Sequence, residues 1–230
     1  LLNDSYHIKF HYLKMTTIIF DDFFEYATDP NLMDINRKMI KGLEKEQVEL
    51  SKRYNLDEYI VININSGVLN LNRRWHRDNY RFLIMLLRQR GVEQPIYLIG
   101  DQSECEYTNG LMSGLNGRHI YDICGKLKIN EVMALLEKAL LFIGNDSGPL
   151  HMAVIVNCPT VSFFGPESFI LYGPTGDNHL IFYSKQECSP CFNIYRGKTA
   201  KNCHKDCFEG ITPEIVCDKI IEKYGSVLKC

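Results

Sequence analysis

From Leu140 to Gly165 the chain reads LLFIGNDSGPLHMAVIVNCPTVSFFG, and the order of residue types in this stretch decides the fold. Leu140 to Ile143 is a short apolar run followed by glycine, Leu150 to Val156 carries the apolar residues of a buried helix, and Pro159 to Phe164 reads as a second strand. Asn145, Asp146, Ser147 and Gly148 lie between the first strand and the helix, with His151 just behind them. The unit is therefore strand, tight turn, helix, strand, which is the repeat of a parallel α/β sheet.

The turn itself has chemistry. Ser147 or Gly148 can cap the helix and Pro149 suits its first turn, so free backbone N–H groups point beyond the strand end, where an anion is the natural guest. Helical side chains tilt toward the N-terminus, so the imidazole of His151 leans back over the same spot and can hydrogen-bond a phosphate oxygen. The turn alone does not separate this from a plainer reading, in which Asp146 and Ser147 cap a core helix and His151 is a satisfied core histidine. Two catalytic serine settings are excluded. NDSGP resembles the nucleophile segment of chymotrypsin-like proteases, but those are all-β. Gly144 to Gly148 spells G-x-x-S-G, not the G-x-S-x-G of a nucleophile elbow.

Working outward, the same alternation recurs. YIVININ from Tyr59 is a strand, Asp78 to Arg90 an amphipathic helix, PIYLIG a strand, Glu104 to Leu115 a weaker helix, RHIYDIC a strand, and Asn130 to Ala139 a helix leading into LLFIG. The last helix, Pro213 to Tyr224, starts behind Thr212 as its cap. Such alternation implies right-handed crossovers and a ligand crevice beyond the carboxyl ends of the strands, so the loops after Asn65, Gly100 and Gly144 should face one site. Asp29 to Tyr54 has helical spacing of Leu32, Ile35, Met39, Leu43 and Leu50 and reads as a connecting or packing helix. The chain starts at Leu1, and its opening reads as pieces of structure, which suggests a fragment or a trimmed chain.

Composition narrows the class. The 230 residues are 45% hydrophobic and 23% charged, a globular composition, and the formal charge of -2 gives no global attraction to nucleic acid or an anionic membrane. No apolar run approaches the ~20 residues that span a bilayer, and no secretory signal opens the chain, so a cytoplasmic protein is expected.

A second constellation favours the anion reading. NSGVLNLNRRWHRDNYRFLIMLL follows the first strand with a polar loop, two arginines, the only tryptophan and a helix. Arg73 and Arg74 are fixed charges whose planar donor forks suit phosphate oxygens, and Trp75 reads as a packing anchor. In IGDQSECEY, Glu104 can accept hydrogen bonds from a ribose diol, or simply be a first-turn glutamate favoured by the helix dipole. A dehydrogenase is excluded, because no G-x-G-x-x-G follows a strand and GLMSGLNG sits in a helix-to-strand connection.

RRWHRDNYRFL, YLIGDQSE, ICGKLKINEVMALLEKALLFIGNDSGPLHMAV and CPTVSFFGPES…YGP, in this order, resemble the carboxyl-terminal domain of the lipopolysaccharide heptosyltransferases, glycosyltransferase family 9. The resemblance covers roughly Tyr59 to Tyr224. Its most specific part is GNDSGPLHMAV with PTVSFFGP, where the family typically has Asp-Thr-Gly, a histidine shortly after, and a Phe-Gly-x-Thr-like strand end; Ser147 replaces the threonine and keeps the hydroxyl. The resemblance implies a GT-B architecture of two Rossmann-like domains, with residues 1–58 a remnant of the acceptor domain plus a connecting helix and residues 59–230 the donor-binding domain. It implies inverting, metal-independent transfer of a heptose or similar sugar from a nucleotide sugar such as ADP-heptose to a lipopolysaccharide core or related glycolipid. That in turn implies no nucleic-acid partner and at most peripheral association with the inner face of the inner membrane.

Residue by residue, the resemblance implies that Asp146, Ser147, Gly148 and His151 hold the donor diphosphate and sugar. Arg73 stands near the family's lysine and, with His151, stabilises the leaving group; Glu104 binds the ribose; Ser66 and Gly67 line the diphosphate. Charge grows on the departing phosphate, and a helix N-terminus, an arginine and a histidine suit that need. The acceptor's proton needs a base, in the family an aspartate near the start of the acceptor domain. Asp21 and Asp22 lack the glycine-rich setting for that role, so the base is expected in a segment outside this sequence. A nucleotide-binding module without catalysis is the alternative.

The cysteines add one motif. Cys105, Cys124, Cys158, Cys217 and Cys230 are scattered, whereas CSPCFNIYRGKTAKNCHKDC places Cys188, Cys191, Cys203 and Cys207 as C-x2-C, an eleven-residue gap and C-x3-C. That approximates a four-cysteine structural zinc module, with His204 as a substitute ligand; four packed thiols or a disulfide are the alternatives. The resemblance assigns the 188–207 cluster to the fold, since many family members carry CSPC and two later cysteines. A zinc-ribbon nucleic-acid binder is disfavoured by the absence of a basic excess.

Overall fold

The computed structural model describes residues 42–67, 71–115, 119–192 and 206–230. They form a six-stranded sheet in the order β3-β2-β1-β4-β5-β6, with every pairing parallel: β1 (Ile60–Asn63), β2 (Ile96–Leu98), β3 (Ile120–Asp122), β4 (Leu141–Asn145), β5 (Thr160–Phe164) and β6 (His179–Tyr183). This is the Rossmann order 3-2-1-4-5-6. The central strands β1, β4 and β5 are buried at every position, because helices cover both faces, while the edge strands β3 and β6 are mostly half-exposed.

One face packs α2 (Arg77–Gln89) and α7 (Pro213–Tyr224) around Trp75, Tyr80, Leu83, Ile84, Leu87, Val216 and Ile220. The other packs α1 (Glu44–Arg53), α4 (Ile129–Lys138) and α5 (Gly148–Ile155) around Leu50, Phe142, Leu135, Leu150 and Phe164. Trp75 is a packing anchor, as expected: it is fully buried, stacks on Phe163 with ring centroids 4.3 Å apart, and its indole N–H donates to the Ile211 carbonyl at 2.9 Å.

Most sequence-derived elements lie within two residues of the observed ones. The helix expected over Glu104–Leu115 is shorter: a 3-10 turn at Gln102–Glu104 leads into α3 (Cys105–Asn109), and the glycines at 110 and 114 follow. Of the long helix expected over Asp29–Tyr54, residues 29–41 lie outside the described residues. Its end is α1, docked on α4 by hydrogen bonds from Gln47 to Glu137 (2.7 Å) and Asn130 to Glu46 (2.7 Å) and by the Arg53–Glu131 ion pair. The short α6 (Phe169–Tyr172) and the edge strand β6 were not anticipated.

Candidate functional site

Strands β1 and β4 are neighbours, but the chain leaves β1 toward β2 and β3 on one side and leaves β4 toward β5 and β6 on the other. Loops after the two strands therefore diverge and open a crevice between them, the place where ligands enter such sheets. β2 lies beside β1, so the loops after Asn65, Gly100 and Gly144 do meet at one end of the sheet.

Asn145, the last residue of β4, ties this end together. Its Oδ1 accepts from the Trp75 backbone N–H (2.8 Å) and the Tyr80 hydroxyl (2.9 Å), and its Nδ2 donates to the carbonyls of Ile64 (2.9 Å) and Asn65 (3.3 Å). The two ends of the loop after β1, at Ile64–Asn65 and at Trp75 just past the two arginines, are thus both hung from one buried amide.

Arg73, on a 3-10 turn at Leu71–Arg73, reaches across to β4. Its Nη2 donates to the Asp146 carbonyl (2.7 Å) and to Asp146 Oδ2 (2.9 Å), while His151 Nε2 sits 3.5 Å from Asp146 Oδ1. Burial works to raise the Asp146 carboxyl, but His151 and the Arg73 guanidinium outweigh it and hold the group below the ordinary carboxylate range. Ser147 occupies the N-cap position of α5 without capping it through its side chain, contrary to expectation; its hydroxyl turns back and donates to the Asn145 carbonyl at 3.1 Å. Competition from that nearby acceptor is the physical reason. Among the described residues the α5 N-terminus therefore has no side-chain cap from its N-cap residue. Pro149 has no N–H, and Gly148 is exposed with nothing within 4 Å of where a Cβ would stand.

Glu104 is almost buried and already engaged. Its Oε1 accepts from the Gly67 N–H (3.2 Å) and its Oε2 from the Asp101 N–H (3.1 Å), closing a capping box, and Arg74 Nη2 stands 3.7 Å from Oε1. Both oxygens keep lone-pair capacity, but the plainer role of turn closure is the one visible in these contacts. Gly67 takes φ +70 with open space around it, which only glycine does without strain. Ser66 beside it is buried, and its hydroxyl has no hydrogen-bond partner among the described residues. Beyond β2 and β3 lies an open hollow of about 440 Å³ lined by Cys105, Glu106, Asn109, Asp122, Cys124 and Lys126.

One site residue escaped the sequence reading. Glu167, just after β5 in the motif GPES, is buried, with Oε1 3.9 Å from Arg73 Nε and Oε2 without a hydrogen-bond partner among the described residues. Burial and the Asp146 charge raise its carboxyl to about 7, with Arg73 opposing. The available signal was a glutamate at a strand end, where the resembling family has a neutral threonine.

Cys203 and His204 lie outside the described residues, so the four-cysteine set cannot be assembled here. Its described members lie near the end of β5: the Cys191 N–H donates to the Pro166 carbonyl at 3.0 Å, and Cys207 Cβ is 3.0 Å from the Cβ position of Gly165. Among the described residues no group of three or more potential ligands is close enough to hold a metal ion.

Residues 6–202 match the profile of glycosyltransferase family 9 (heptosyltransferase). Lipopolysaccharide heptosyltransferase 3 of Escherichia coli K12 is 27% identical over 163 residues, covering 71% of this chain and 45% of that protein. Lipooligosaccharide heptosyltransferase 2 of Campylobacter jejuni is 25% identical over 242 residues, covering 98% of this chain and 72% of its own length. Among solved structures, that of the E. coli ADP-heptose lps heptosyltransferase II superimposes with a TM-score of 0.61 at 18% identity, over 80% of this chain and 51% of that one. The chain thus spans about half the length of several proteins it matches.

Proposed function

Because the chain belongs to glycosyltransferase family 9, we propose that residues 59–230 hold the nucleotide-sugar donor of an inverting, metal-independent transferase. The sugar is heptose, the donor ADP-heptose, and the acceptor a lipopolysaccharide core or related glycolipid reached at the inner face of the inner membrane. In support, the E. coli heptosyltransferase II whose fold this chain shares is an ADP-heptose enzyme.

One observation carries the reading: Arg73, Asp146 and His151 meet at the uncapped N-terminus of α5, in the crevice between β1 and β4. Helix N–H groups and dipole favour an anion there. Arg73 commits Nη2 to Asp146, but a guanidinium has five N–H donors, and its buried Nε has no hydrogen-bond partner among the described residues. Asp146 orients that fork and His151 together. As the glycosidic bond to the diphosphate breaks, these donors stabilise charge already aimed at by fixed groups, so little reorganisation is required. The hollow beside Glu104 accommodates the base and ribose side of the nucleotide. The Cys188, Cys191, Cys203 and Cys207 cluster is assigned a structural role, as a zinc site or as packed thiols; of its members, Cys191 and Cys207 lie against the end of β5.

Calorimetric titration with ADP and ADP-heptose, against GDP and UDP, tests the reading. Saturable binding of the adenine nucleotides, weakened at least ~10-fold by Arg73→Ala and by Asp146→Ala as expected for charge-assisted hydrogen bonds, is the expected result. No adenine preference, or no effect of either substitution, would refute it.

A further inference from the structure

Glu167 is not accounted for by the reading above. A site for a diphosphate should be rich in positive charge and donors, yet two carboxyl groups, Asp146 and Glu167, share the single guanidinium of Arg73. Asp146 takes the better share, with hydrogen bonds to Arg73 at 2.7 and 2.9 Å from its carbonyl and carboxylate oxygens. Glu167 stands off at 3.9 Å, and its buried Oε2 has no hydrogen-bond partner among the described residues. An ionised carboxylate left so would cost several kcal/mol, and a neutral carboxyl in the same place would have an O–H to donate.

Building on the proposed donor site, we propose that Glu167 is its proton-carrying member: in the neutral form its O–H donates a hydrogen bond to an oxygen of the bound diphosphate, so that binding takes up a proton from solvent. The groups facing Glu167 are Arg73 from the loop after β1 and Asp146 from the end of β4, with His151 of α5 one contact further through Asp146. Its own loop is pinned from behind by the Cys191 N–H on the Pro166 carbonyl. With the carboxyl raised to about 7 in the empty site, an arriving dianion favours the protonated form still more. Affinity then falls as pH rises above neutrality. A threonine at this place, as in the resembling family, donates without titrating, so Glu167 makes donor capture pH-dependent in this chain.

The test is calorimetry with ADP-heptose, a diphosphate diester that does not itself titrate near neutrality, in buffers of different ionisation enthalpy from pH 6 to 8.5. The wild-type chain should take up a fraction of a proton near pH 7 and lose about 5- to 10-fold in affinity between pH 7 and 8.5. Glu167→Gln should lose that uptake and should hold its affinity over that interval. His151→Gln should keep the Glu167 share of the uptake. Glu167→Met, of similar size and without a titrating group, gives a second comparison. Equal uptake in wild type and in both Glu167 variants overturns the proposal while leaving the donor site standing. Failure of the folded wild-type chain to bind ADP-heptose at any pH overturns both.

Discussion

Asp146 and Glu167 lie against the same arginine yet are displaced in opposite directions, and stability should record it. For Glu167 the folded carboxyl is raised to about 7. The folded chain therefore keeps a proton that the unfolded chain releases above about 4.5. Its contribution is full below that value and is lost as pH rises to about 7. The melting temperature of Glu167→Gln, minus that of wild type, should accordingly grow between pH 5 and 8; a constant difference in thermal scans would contradict the assignment. Asp146 has the opposite sign: held below its ordinary range, it contributes above that range and loses the contribution as pH falls through its lowered value. Asn145 is a different kind of residue, neutral and fully bonded. Asn145→Leu strands the Trp75 N–H, the Tyr80 hydroxyl and the Ile64 carbonyl, at about 1–3 kcal/mol for each buried group left unsatisfied. A loss of about 3 kcal/mol or more in urea unfolding is expected, together with weakened nucleotide binding, since both ends of the loop after β1 hang from this amide.

At the scale of elements, turns rather than helices or strands hold the site, and turns are where the sequence was hardest to read. The buried runs of β1, β4 and β5 and the amphipathic α2 announce themselves by composition and period. β6, HLIFY on an open edge, is half-exposed along its length and lacks that contrast. Asp146, Ser147, Gly148 and His151 were legible because they interrupt two apolar runs. The pairing of Arg73 with Asp146 was not, because it depends on how Asn145 draws the 71–75 loop across the sheet, and no local pattern encodes a contact over that separation. Glu167 was overlooked for the same reason: only the folded chain shows which cation it neighbours. The crowding at the end of β2 gives a direct check. A Cβ on Gly100 would meet Asn65 Nδ2 and Cys124 Sγ at 2.8 Å and Glu104 Oε2 at 3.2 Å. Gly100→Ala should therefore displace the capping-box glutamate, lowering stability by about 1–3 kcal/mol and altering the hollow beyond β2 and β3. A melting temperature equal to wild type would show that the turn yields easily.

For the molecule as a whole, two apolar layers sandwich one sheet, and α1 closes the outer layer on α4. Leu50 is its fully buried anchor, so Leu50→Ala should cost about 2–5 kcal/mol. Cooperative unfolding of this variant by fluorescence and circular dichroism together would show that α1 belongs to the same unit; separate transitions would show that it does not. The order of strands also bears on how the chain reaches this state. β1 lies at the centre, and Ile60 pairs with Ile96 on one side and Leu141 on the other. The first pairing needs only the next strand, whereas the second waits for β4, with α2, α3, α4 and two strands intervening. Closing so long a loop is slow, and a growing chain that has finished β3 but not β4 shows Ile60 to Asn63 as a bare apolar edge. The seam between β1 and β4 that opens the crevice for a ligand is thus also one that closes late, and until it does the edge of β1 stands open to pairing with a stranger.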